Sequence, residues 1–250
     1  MPNFKLTYFD ARAKGEPARM LFHLVGQKYE DIRYDYVGEE WPKIKGDRKS
    51  KDYATFLITY KYHSSKAYVH IKYAPGYTVT TTKATKGFPL GQLPVLDVDG
   101  ELLTQSRAIY RYIARQFPGD YYGKNNLECA RIDEILGIVA DIEVVVEPAY
   151  ETPDAAKREA DLVKCRDSTL KPSWDFFSES LQKAGGKYFM GNRITIADVV
   201  IFNIIDFFLD TIFGLKTYFE SYPTLLKFYE SIKNDSPLTQ YLKDRKKTKY

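Results

Sequence analysis

Apolar and polar positions alternate from Phe4 to Phe9, which predicts a β-strand. The run from Glu16 to Val25 changes to helical spacing and stops at Gly26. Residues Tyr29 to Tyr36 return to a strand-like pattern, and a helix between two strands of one small sheet implies a right-handed βαβ unit with parallel strands. Leu93 to Val98 and Glu101 to Leu103 flank Asp99-Gly100, a pair that supplies the positive φ angles of a two-residue hairpin turn. Gln105 to Ala114 is helical again, with Ser106 near a start whose amides point outward and could meet an anion. From Asn125 onward only long helical patterns follow, punctuated by proline and glycine. Thr195-Ile196-Ala197-Asp198 reads as a capping box opening an apolar helix at the centre of this half.

One segment departs from these patterns. Between Lys45 and Phe88 the chain turns rich in Tyr, Lys and Thr, which predicts an inserted loop over 46–88. Within it Tyr68–Tyr73 and Tyr77–Thr82 alternate and could pair as a hairpin.

Composition narrows the function classes. The 250 residues, 44% of them hydrophobic, suffice for one large or two small domains. Much of the net charge of +4 sits in Lys43–Lys51 and Lys243–Lys249, which reads as solvated surface, so no nucleic-acid partner is predicted. Two cysteines, Cys129 and Cys165, fall in helical patterns with no metal-ligand spacing, which fits a reducing compartment. No signal-peptide pattern opens the chain, and the apolar stretch Ile194 to Leu209 is broken by Asp198, Asn203 and Asp206. The expectation is a cytoplasmic protein without a membrane span.

The ordered series Lys5-Leu6-Thr7-Tyr8-Phe9, Glu16-Pro17-Ala18-Arg19, Tyr29-Glu30-Asp31, Trp41-Pro42, Gly91-Gln92-Leu93-Pro94-Val95-Leu96, Asp99-Gly100 and Gln105-Ser106 resembles the cytosolic glutathione S-transferases, most closely the sigma class. Tyr122 to Glu128 and Phe189-Met190-Gly191-Asn192 extend the resemblance across nearly everything outside the insertion. It implies a thioredoxin-like α/β glutathione-binding domain over 1–117, interrupted by the insertion, and an all-helical domain over 124–250, assembled as a homodimer.

The resemblance also assigns roles. Tyr8 would donate a hydrogen bond to the glutathione sulfur, because a free thiol with pKa near ~8.5 is only slightly ionised at neutral pH. Pro94 would be a cis proline that turns the Leu93 main chain towards the peptide, which then pairs as an added strand. Gln105 and Ser106 would receive the γ-glutamyl carboxylate at a helix start. Asp141 would reach the ligand's α-amino group in the neighbouring subunit. Trp41 and Lys45 match positions at the glycine carboxylate, Gln92 a polar position, and Lys14 stands where many sigma enzymes carry Arg. Phe9, Ala11, Ala13, Tyr150, Val200 and Ile204 would line an apolar electrophile pocket. Two acidic positions of the metal-responsive prostaglandin synthases are Gly137 and Ala140 here, so no metal is predicted, and glutathione is expected as co-substrate with no further cofactor.

The implied activity is conjugation of glutathione to small hydrophobic electrophiles, with a prostaglandin D synthase or isomerase activity as a narrower form. Two alternatives remain open. The same stretches resemble S-crystallins, structural lens proteins rich in methionine, of which this chain has only three. The insertion could also inactivate the enzyme.

Overall fold

The computed structural model describes residues 2–35, 88, 90–209, 212 and 218–248. Trp41, Lys45 and the two strand patterns inside the expected insertion lie outside the described residues.

Strand β1 (Phe4–Phe9) is the pivot of a four-stranded sheet of order β2-β1-β3-β4. Its alternation turns Phe4, Leu6 and Tyr8 into the interior. It pairs in parallel with β2 (Glu30–Tyr34), placing Tyr8 opposite Arg33, and antiparallel with β3 (Val95–Val98), placing Leu6 opposite Leu96. β3 turns into β4 (Glu101–Thr104) through Asp99 and Gly100, whose φ values of 51° and 95° are those the Asp-Gly pair was expected to supply. The turn is held from both sides, since Asn3 N–H donates to Asp99 and Gly100 N–H to Asp97. The second strand starts one residue after Tyr29 and its register with β1 runs to the Phe9–Tyr34 pair, while Tyr36 lies outside the described residues.

Helix α1 (Glu16–Leu24) crosses between β1 and β2 and buries Ala18, Met20, Leu21 and Phe22. It ends at Gly26, where φ is +66° and Gln27 N–H returns to the Phe22 carbonyl, a left-handed cap that a side chain would strain. Helix α2 (Ser106–Gln116) follows the hairpin. Gln105 is not its first turn but the residue before it, at φ +71°, and the helix continues two residues past Ala114.

The remaining half is helical. α3 (Asn126–Tyr150) is capped by Asn125, whose side chain accepts from Glu128 N–H. α4 (Ala155–Cys165) runs through one wider π turn, Arg166–Leu170, into α5 (Lys171–Lys183). α6 (Ile196–Ile204) is buried on every side and passes into a second π turn, Ile205–Leu209. α7 (Pro223–Asn234) and α8 (Thr239–Asp244) follow. Trp174, Phe177, Phe189, Phe219 and Phe228 form a tilted and edge-on aromatic cluster in this core.

The polar interruptions of the apolar stretch all have structural partners. Asp198 is wholly buried and accepts from Thr195 N–H at 2.7 Å, the Thr195 hydroxyl at 2.8 Å and Phe189 N–H at 2.8 Å. Asn203 donates to the Ala13 carbonyl, and Asp206 receives Arg12, Arg245 and the Tyr229 hydroxyl. Among the described residues no helix is long and apolar enough to cross a membrane.

Burial pushes the Asp198 carboxyl up to about 6 against the pull of its donors. A raised folded-state pKa means its stabilising contribution is complete below the ordinary value of 3.8 and is lost as pH rises through about 6. Asp198→Ala should lower stability by about 3 kcal/mol in urea denaturation, because it strands two buried amides. Asp198→Asn should cost less and should remove this group's pH dependence between about 4 and 6.

Candidate functional site

The end of β1 and the loop into α1 are fixed by one side chain. Arg19, with no exposed surface, donates to the Phe9 and Ala11 carbonyls at 3.1 and 2.6 Å, to Glu16 at 3.3 Å and to Asp31 at 3.2 Å. Its guanidinium also lies 5.8 Å from the centre of the Tyr8 ring. The carbonyls of the two residues flanking Asp10 are thereby pinned to one guanidinium.

Tyr8 is buried, and its hydroxyl oxygen accepts the Lys14 N–H at 3.2 Å. Among the described residues no acceptor takes the hydroxyl proton, which stays free to be donated. Burial raises the Tyr8 pKa well above the ordinary value of 10, so the group is a neutral donor throughout the physiological range. The Lys14 carbonyl accepts from the buried Tyr110 hydroxyl at 2.6 Å, which ties the same residue to α2. The Lys14 ammonium lies 2.7 Å from Glu147 and 3.9 Å from Glu143 on α3. Glu143 in turn pairs with Arg107 at 2.8 Å; burial and the neighbouring Glu147 raise its pKa, while Arg107 and Lys14 oppose them.

A cavity of about 350 Å³ opens beside this assembly. Phe9, Lys14, Gln92, Leu93, Gln105 and Ser106 line it together with Pro94, Thr104 and Arg107. The Leu93–Pro94 peptide is cis. The cavity therefore gathers residues from the β1 end, the approach to β3 and the start of α2; Tyr8 does not line it and meets its wall through the Lys14 N–H bond. Such an arrangement suits an extended peptide with an anionic end at the helix start and a polarisable group near the hydroxyl.

Other expected positions lie elsewhere. Asp141 is exposed on α3 and does not line the cavity, and Tyr150 is 37% exposed at the end of the same helix. Of the residues expected to line an apolar pocket, only Phe9 borders this cavity. Ala11, Val200 and Ile204 are buried at 2%, 3% and 2% exposure, and Ala13 is engaged through its carbonyl by Asn203. The helical pattern could not separate pocket from core here, because α6 is apolar on all sides.

Gly15 is a further residue that sequence reasoning missed. A Cβ there would stand 2.3 Å from Cδ1 of the Tyr8 ring, so only glycine lets the loop close over that ring. Gly15→Ala should displace the Tyr8 ring or the loop, with a loss of about 1–3 kcal/mol in thermal or urea unfolding. The same variant should increase the solvent exposure of Tyr8 and lower its titration midpoint, measured by ultraviolet absorbance.

Comparison with known proteins agrees with this geometry. Residues 141–245 match the family model for the glutathione S-transferase C-terminal domain, and residues 68–115 match that for the N-terminal domain. Glutathione S-transferase 1 of Ascaris suum is 30% identical over 254 aligned positions, covering all of both chains. S-crystallin SL20-1 of Nototodarus sloanii is 25% identical, again over the full length of each. A solved sigma class GST from Fasciola hepatica superimposes with a TM-score of 0.73 at 29% identity, covering 100% of this chain and 99% of that one. The sheet-plus-helices architecture, the end-to-end similarity and the two domain matches together make this chain a member of the glutathione S-transferase family.

Proposed function

We propose that Tyr8 is the catalytic residue of this glutathione transferase and that it donates its free hydroxyl proton as a hydrogen bond to the glutathione thiolate. One observation carries the reading: the Tyr8 hydroxyl is buried, its oxygen is fixed by Lys14 N–H, and its proton has no acceptor among the described residues. A donor held in place before the sulfur arrives stabilises the anion with little reorganisation. The thiolate then attacks an electrophilic carbon of a small hydrophobic co-substrate.

In this reading the Leu93 main chain pairs with the peptide, and Gln105 and Ser106 receive the γ-glutamyl carboxylate at the start of α2. Arg107 and Lys14 add positive charge along the same wall, with Gln92 as a further polar contact. Trp41 and Lys45 are assigned to the glycine carboxylate, and Asp141, exposed on α3, to the α-amino group bound by the other subunit of a homodimer. Phe9, Ala11, Ala13, Tyr150, Val200 and Ile204 are assigned to the electrophile side, where the buried members would act by setting the shape behind the wall. The division into 1–117 and 124–250 follows the change from sheet-bearing to helical chain. A prostaglandin D synthase activity is the narrower form of this proposal, and a cytoplasmic location accompanies it.

The S-crystallin relative motivates a structural reading, which predicts a fold without turnover. Conjugation of glutathione to chlorodinitrobenzene decides between them. The native protein should turn over, and Tyr8→Phe should reduce kcat/KM by about 10²-fold with the fold intact. The rate should rise with pH through an inflection below the free-thiol value of ~8.5, and the variant's inflection should move up towards it. Equal rates for both proteins would remove Tyr8 from the mechanism. Ser106→Ala should mainly raise KM for glutathione.

A further inference from the structure

Away from the cavity just described, the loop after β1 and the 241–248 segment enclose a second hollow of about 320 Å³. Five cations line it, Arg12, Lys243, Arg245, Lys246 and Lys247, and among the described residues no acidic side chain does. We propose that this hollow is a binding site for a small, multiply charged anion, a polycarboxylate or a phosphate compound.

The argument rests on how the charges are shared. Asp206 serves both Arg12 at 3.0 Å and Arg245 at 2.5 Å. Glu16 is divided between Arg19 at 3.3 Å and Arg245 at 3.2 Å, and Asp10 between Arg33 at 3.1 Å and Lys246 at 2.5 Å. Asp206, Glu16 and Asp10 are thus each shared between two cations, with Asp31 as a further partner of Arg19 and Arg33. Lys243 and Lys247 are exposed and form no ion pair among the described residues, so they add uncompensated positive charge at the rim. Arg12 contributes a second sign of an incomplete site. Its Nε is buried without a hydrogen-bond partner among the described residues, although the guanidinium is held against Asp206 and lies 5.3 Å from the centre of the Phe207 ring.

A concave surface of one sign concentrates counter-ions, and guanidinium and ammonium groups together suit carboxylate and phosphate oxygens. The size of the hollow fits a small molecule rather than a macromolecule. A bound anion would bridge Arg12 on the loop to the lysines of the 241–248 segment. This site is separate from the cavity next to Tyr8, and its assignment does not depend on the role given to Tyr8.

Calorimetric titration of the full chain at low ionic strength tests it, with citrate as the carboxylate probe and pyrophosphate as the phosphate probe. Each titration is repeated with S-hexylglutathione at saturation. At least one probe should bind, should be retained in the presence of S-hexylglutathione and should weaken as salt is added. Whichever probe binds assigns the chemistry. Lys243→Ala/Lys247→Ala, which removes two exposed side chains, should weaken that binding about tenfold without changing the unfolding temperature measured in the absence of anion. The proposal is overturned if neither probe binds, if the double variant binds as well as the native protein, or if S-hexylglutathione displaces the anion.

Discussion

Arg19 is a guanidinium with no exposed surface, and the chain around the site is arranged to keep it bonded. Two of its contacts are main-chain carbonyls on either side of Asp10, and two are carboxylates, one from its own helix and one from β2. A buried charge is tolerable only while its partners stay in place, and removal of one partner typically costs about 3–5 kcal/mol. The β1 end, the loop, α1 and β2 are consequently one electrostatic unit. The constraint passes outward through Glu16, which also receives Tyr241 at 3.0 Å and Arg245 at 3.2 Å. Position at the site is therefore set by charge satisfaction in the layer beneath it.

Helices of both halves hold the same loop. Asn203 of α6 holds the Ala13 carbonyl, Tyr110 of α2 holds the Lys14 carbonyl, and Glu147 of α3 holds the Lys14 ammonium. Three helices thus grip consecutive parts of the segment that presents Lys14 N–H to Tyr8. Because the oxygen of Tyr8 is occupied by that amide, the direction in which its proton can be given is narrowed before any ligand arrives.

Much of this was legible in the sequence where the signal is local. The Asp99-Gly100 turn follows from two consecutive positive φ angles, and the capping box from four consecutive residues. The π turns at Arg166–Leu170 and Ile205–Leu209 were not legible, since one extra residue in a turn leaves the apolar spacing almost unaltered. In the site, motif resemblance picked out Tyr8, Lys14, Leu93, Gln105 and Ser106, and the fold gathers the last four around one cavity. Glu147 and Asn203 could not be found that way. They meet Lys14 and Ala13 across 133 and 190 residues; Asn203 stands out locally as a polar break in an apolar stretch, but neither neighbourhood names the distant partner. The third bond to Asp198, from Phe189 N–H, is hidden for the same reason.

The contact between Glu16 and Arg245 spans 229 residues. During synthesis on the ribosome Glu16 emerges long before Arg245, so α1 must wait with a carboxylate that lacks this cation. Closing a loop of that length carries an entropy penalty that grows only slowly with length, but the closure cannot happen until the distant segment has been made. The sheet and the helices can assemble in the order in which they emerge. Arg19 can fasten the loop beneath Tyr8 early through its local bonds to the Phe9 and Ala11 carbonyls, whereas the bonds from Glu147, Asn203 and Arg245 belong to a late, long-range step, so the last contacts around the site mature after its sheet has formed.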